Sequence, residues 1–133
     1  MRQARILLVD DEVAFTKNLS LLLSKRGYEV RAVNDGESAL RVAEEIEFDV
    51  VLLDLKMPGI DGIETLKRLK RRKPLVEVII LTGHGSVDSA IEGVGHGAFD
   101  YAMKPFDLNE LNERISKAFQ RKLLREEQMN TRR

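Results

Sequence analysis

Short apolar runs and helical stripes alternate along the whole of this chain. Short apolar runs at 5–10, 28–33, 49–54 and 76–81, with a weaker one at 98–102, are the strand candidates. Between the first two, Phe15, Leu19, Leu22 and Leu23 recur along one helix face, which predicts a helix over about 12–26 that ends at Gly27. Ala39, Leu40, Ala43 and Ile46 predict a second helix, opened by the turn residues Asn34-Asp35-Gly36. Ile63, Leu66 and Leu69 mark a third, closed by the basic run Lys70 to Lys73 and by Pro74. A fourth, from about Ser86 to Val94, lies among Gly83, Gly85, Gly93, Gly95 and Gly97. Each glycine inside a helix costs about 1 kcal/mol against alanine, so this helix should be short or mobile. The fifth begins at Asp107, with Glu110 three positions on as in a capping box, and buries Leu111, Ile115, Ala118 and Phe119.

Five strands alternating with five helices predict an α/β fold, a doubly wound parallel sheet covered on both faces. The strand order 2-1-3-4-5, as in flavodoxin-like folds, makes the first and third strands neighbours, and ligands bind there beyond the carboxyl ends of the strands. The length of 133 residues suits one domain, expected over 1–120, with 121–133 as a helix end or linker stub.

Composition narrows the function classes. The 22 basic and 22 acidic residues cancel, which removes any overall bias towards nucleic acid or an anionic membrane. Residues 121–133 carry a local excess of three positive charges, read as a solvated helix end or linker stub. Without cysteine there is no disulfide, thiolate site or thiol nucleophile. Only four apolar residues separate Arg5 from Asp10, too few for a signal-peptide core, and no run reaches membrane-spanning length, so a cytoplasmic protein is expected.

The chemistry gathers where apolar runs stop on acid. Ile6 to Val9 runs into Asp10-Asp11, and Val50 to Leu53 runs into Asp54. If their strands are neighbours, three carboxylates share one pocket and repel one another unless a cation sits there. Oxygen-only ligands at an open site suit magnesium, with manganese as a substitute. Thr82 after the fourth run and Lys104 after the fifth bring a hydroxyl and an ammonium to the same edge, a receptor for a phosphoryl group. Asp54, alone on the central strand, is the candidate nucleophile, since a carboxylate can attack phosphorus to give an aspartyl phosphate. Asp10 and Asp11 would also serve as caps of the first helix. Taken with Asp54, Thr82 and Lys104, the pair reads as a cation site.

These motifs, Val9-Asp10-Asp11-Glu12, Leu53-Asp54-Leu55-Lys56-Met57-Pro58-Gly59-Ile60-Asp61-Gly62, Leu81-Thr82-Gly83 and Tyr101-Ala102-Met103-Lys104-Pro105-Phe106, resemble the receiver domain of two-component response regulators over about residues 4–120. The resemblance implies that Asp54 accepts a phosphoryl group from a sensor histidine kinase or a phosphotransfer protein. It implies that Asp10, Asp11, Asp54 and the main-chain carbonyl of Lys56 bind magnesium, and that Thr82 and Lys104 bind the phosphoryl group. It further implies a switch in which Thr82 moves towards the phosphate and Tyr101 turns inward, a cis Lys104-Pro105 bond, and a homodimer through the fourth helix, fifth strand and fifth helix. Lys56 and His84 would flank the phosphate and tune its hydrolysis, and Gly83 would leave the site open. The stretch from Leu81 to Pro105 is similar to receivers attached to transcriptional activators.

Other functions fit less well. A flavodoxin-type cofactor binder needs amides and hydroxyls after the first strand, where Asp10-Asp11-Glu12 would repel phosphate. An aspartate-dependent phosphatase would want a second carboxylate where Lys56 stands. His84 and His96 lie in glycine-rich loops without ligand spacing and read as surface residues. The expectation is a phosphorylation-activated switch rather than a turnover enzyme, without direct nucleic-acid or membrane binding.

Overall fold

A computed structural model describes residues 2–57, 59–83 and 87–131. Its strands are β1 (Arg5–Val9), β2 (Glu29–Val33), β3 (Val50–Asp54), β4 (Glu77–Thr82) and β5 (Asp100–Met103). The helices between and after them are α1 (Val13–Lys25), α2 (Gly36–Glu45), α3 (Gly62–Arg72), α4 (Val87–Gly95) and α5 (Leu108–Thr131). All strand pairs are parallel and the order is β2-β1-β3-β4-β5, as the alternation of elements predicts.

Side chains of a strand point alternately to the two faces, and the two cores divide accordingly. Leu7, Val9, Val51, Leu53, Val78 and Ile80 pack against Ala39, Leu40 and Ala43 of α2, Leu66 and Leu69 of α3 and Ala90 of α4. Ile6, Leu8, Val50, Leu52, Ile79, Leu81 and Ala102 face the other way, onto Leu19 and Leu23 of α1 and Leu111, Ile115, Ala118 and Phe119 of α5. Burial on both faces explains the unbroken aliphatic runs of β1, β3 and β4, whereas edge strand β2 is largely exposed.

Caps set the helix starts. Asp35 accepts from the Ser38 amide at 2.7 Å, Asp61 from Glu64 at 2.8 Å, and Asp107 from Asn109 and Glu110 at 2.7 and 3.3 Å. Helix α1 departs from its predicted stripe, because Leu22 is 37% exposed. Its buried arc is centred on Thr16, Leu19 and Leu23, and Leu22 falls at the rim of that arc. Helix α4 is short, nine residues. Gly93 abuts Ile80 so closely that a β-carbon there would collide with it, which accounts for one of the helix's glycines. Its expected start at Ser86, and His84, lie outside the described residues.

The far edge of the sheet holds a feature with no local signal in the sequence. Residues 121–131 continue α5, and Lys122, expected on a solvated end, is buried. Its Nζ donates to Asp49 Oδ1 at 2.8 Å and lies 2.6 Å from Glu126. Asp49, immediately before β3 and 1% exposed, also accepts two bonds from the Arg2 guanidinium at 2.7 and 2.8 Å and one from the Arg5 amide at 2.8 Å. Beside it buried Glu77, at the start of β4, faces Arg121 at 3.1 Å, Arg125 at 3.5 Å and Lys70 at 3.9 Å. Three cations of α5 thereby hold the starts of the two central strands. Among the described residues no helix is long and apolar enough to cross a membrane.

Candidate functional site

Register brings the strand-end acids together. Val9 pairs with Leu53, so the residues that follow, Asp10 and Asp54, leave adjacent strands side by side. One carboxylate oxygen from each of Asp10, Asp11 and Asp54 lies within 4.8 Å of the others. Asp10 is fully buried, Asp54 is 7% exposed and Asp11 is exposed, so the cluster opens to solvent on one side. Neither Asp10 nor Asp11 caps α1. The cap residue is Glu12, without a side-chain cap bond, and Asp10 Oδ1 accepts from the Glu12 amide at 3.0 Å.

The electrostatics of the cluster favour a cation. Burial first, and then the charges of Asp10 and Asp11, together push the Asp54 carboxyl up to about 6 against the opposing Lys56 amide bond and Lys104. A carboxyl raised by burial and by like charges is one that a cation would return to its ionised form. All three groups offer hard oxygens, which fit magnesium or manganese and not a thiolate-seeking metal.

Lys104 enters from the end of β5. Its amide donates to the Thr82 carbonyl at 2.6 Å, and the Lys104-Pro105 peptide is cis. Its Nζ donates to Asp10 Oδ2 at 2.6 Å and lies 3.7 Å from Glu12. Burial pulls the ammonium down, but the Asp10 hydrogen bond and the charges of Asp10, Asp54 and Glu12 outweigh it and hold the pKa above the ordinary lysine value. The lysine thus rests on Asp10 rather than on the candidate nucleophile. Thr82 is buried, with its hydroxyl 3.3 Å from the Gly83 carbonyl. Among the described residues, a β-carbon on Gly83 would meet nothing within 4 Å. The Lys56 amide donates to Asp54 Oδ1 at 3.2 Å while its side chain is exposed. Tyr101 is half-buried against the core on the α2, α3 and α4 face.

Strand alternation sorts these groups. Asp10, Asp54 and Lys104 continue the positions of Leu8, Leu52 and Ala102 on the α1 and α5 face, whereas Thr82 continues Ile80 on the other, which Tyr101 shares. The strand ends therefore deliver the charged groups from one face and the hydroxyl pair from the other. Reading the sequence missed Glu12 and Phe15 as neighbours of Lys104. Phe15 gave only an apolar-stripe signal.

A family model described as the response regulator receiver domain matches residues 6–116. The chain belongs to that family. Receiver domains are the regulatory, signalling modules of two-component systems. Regulatory protein AtoC of Escherichia coli (strain K12) is 41% identical over 123 residues, 92% of this chain and 27% of that protein. Transcriptional regulatory protein ZraR of Klebsiella oxytoca is 43% identical over 116 residues, 87% of this chain and 26% of that protein. This receiver thus spans about a quarter of the length of those curated relatives. Among solved structures, a response regulator receiver domain from Clostridium thermocellum is similar with a TM-score of 0.87 and 40% identity, covering 91% of this chain and 98% of that one. NtrX from Brucella abortus is similar at a TM-score of 0.90 and 31% identity, over 97% of this chain and 29% of that one.

Proposed function

We propose that this receiver is switched by transfer of a phosphoryl group from a histidine kinase or phosphotransfer protein to Asp54, in a magnesium-dependent reaction. The observation that carries this reading is the meeting of Asp54 with Asp10, Asp11 and Lys104 at the carboxyl edge of β1, β3 and β5. An Asp54 carboxylate oxygen attacks phosphorus, the bond from phosphorus to the donor imidazole nitrogen breaks, and the imidazole keeps the electron pair. Such transfers depend chiefly on positioning and charge stabilisation.

The chain's own groups divide that work. Asp10, Asp11, Asp54 and the Lys56 carbonyl would hold the divalent cation, which when bound neutralises charge on the acceptor and the incoming phosphoryl oxygens. Lys104 passes N–H bonds from Asp10 to a phosphoryl oxygen, and the Thr82 hydroxyl donates to another. Movement of Thr82 towards that oxygen frees space on the face that Tyr101 shares, and Tyr101 turns into it. The exposed Ile91 and Val94 of α4 and Met103 of β5 supply apolar surface for a homodimer by which the switch is read. Self-dephosphorylation is slow and incidental, the compartment is the cytoplasm, and the output is that of a transcriptional regulator like ZraR.

Acetyl phosphate with magnesium tests this without a kinase. The parent chain should take up one phosphoryl group, Asp54→Asn none, and beryllofluoride should bind the parent alone. Labelling of the Asn variant to the parent's extent would reject Asp54 as acceptor.

A further inference from the structure

Lys104 has one neighbour that the acid cluster does not explain. Its Nζ lies 4.3 Å from the centroid of the Phe15 ring. That ring meets Phe106 edge to face, with centroids 6.1 Å apart and planes at 74°. Both rings are half-buried and pack on the core beneath α1 and α5. The Lys104 side chain is only 19% exposed, so its ammonium faces the ring with little water between.

A ring face attracts a cation through its quadrupole, and more strongly where the cation is desolvated. It differs from the other partners of Lys104 in carrying no charge. Asp10 and Glu12 hold the ammonium through acceptor atoms and compete for it with an incoming phosphoryl oxygen. An aromatic face has no acceptor atom, so the ammonium can turn over it while its N–H bonds pass from Asp10 to the new oxygen. Helix α1 places Phe15 one turn beyond the Asp10-Asp11 pair, and Phe106, two residues past Lys104, braces the ring from the side.

We infer that Phe15 is a positioning residue for Lys104, a neutral rest that keeps the ammonium at the site as it exchanges Asp10 for the phosphoryl group. The inference rests on the reading of Asp54 as phosphoryl acceptor. It assigns Phe15 a part in the chemistry that is separate from any contact with a partner protein.

The test is the second-order rate constant for phosphorylation by acetyl phosphate at saturating magnesium, for the parent, Phe15→Leu, Phe15→Met and Phe15→Tyr. A small donor removes partner docking from the measurement. Loss of the ring face should slow Phe15→Leu and Phe15→Met by roughly threefold to tenfold, whereas Phe15→Tyr should stay within about twofold of the parent. Magnesium affinity should be the same in all four chains. In a Lys104→Met background, Phe15→Leu should cause no further loss, a result that a merely structural role would not give. The inference is overturned if Phe15→Leu and Phe15→Met react at the parent's rate, if Phe15→Tyr falls as far as they do, or if Phe15→Leu slows the Lys104→Met chain equally. A parent that takes no label overturns the Asp54 reading and this inference together; a labelled parent with unaffected ring-free variants overturns this inference alone.

Discussion

Asp49→Asn tests the account of what ties α5 to the sheet. The substitution keeps the shape of a side chain that is 1% exposed and removes its charge from between Arg2 and Lys122. Burial pushes the Asp49 carboxyl up, yet bonds from Arg2, Lys122 and the Arg5 amide prevail and hold it at about 2, against an ordinary value of 3.8. That difference corresponds to about 2 kcal/mol of stability at neutral pH. Leaving buried Lys122 with Glu126 alone adds to the loss, while Arg2, 45% exposed, can turn to water. For a chain of this length the expected fall in Tm is roughly 8 °C. The sign of the pH dependence follows from the depressed pKa. The contribution is fully present above pH 3.8 and is lost as pH falls through 2, so about half of the difference between parent and variant should remain at pH 3. Urea titrations of both chains from pH 7 down to pH 3 measure this. A difference that stays constant over that range, or an Asn variant as stable as the parent, would refute the reasoning.

Asp54 should behave in the opposite sense. Its carboxyl is raised to about 6, so without metal the folded state loses up to about 3 kcal/mol as pH rises from 3.8 through 6. Asp54→Asn should then raise Tm at pH 7 in chelator-treated protein and make no difference at pH 3.5, with thermal unfolding as the check. Asp11→Ala should weaken magnesium binding by roughly tenfold or more in a titration, and unchanged affinity would remove Asp11 from the ligand set. Gly62→Ala would set a β-carbon against the Leu55 main chain and the Asp54 carbonyl, and should cost about 1 to 3 kcal/mol in urea unfolding.

The parts of this structure that the sequence made legible are those written in local periodicity. Aliphatic runs such as Val50 to Leu53 mark strands buried on both faces, and Asp35 and Asp107 sit where their helices begin. The acids at the strand ends could be gathered because parallel strand order constrains which ends adjoin. Pairings made across the fold left no such mark. Lys122 and Asp49 are 73 residues apart, and nothing near either one predicts that a lysine in a charged stretch will be buried on an aspartate. Lys104 was legible as a cation reaching the strand-end edge, but its resting place on Asp10 and over the Phe15 ring depends on side-chain packing. Leu22 shows the limit of stripe reading, since spacing alone does not say where along the arc burial stops.

The central claim is that Asp54 is the residue that receives the phosphoryl group. After reaction with acetyl phosphate and magnesium, reduction with borohydride converts an aspartyl phosphate to homoserine, which peptide mass spectrometry can place in the sequence. The account predicts homoserine at position 54 and at no other acid, and none when magnesium is withheld. Homoserine at Asp10 or Asp11, or equal conversion of Asp54 without magnesium, would contradict it.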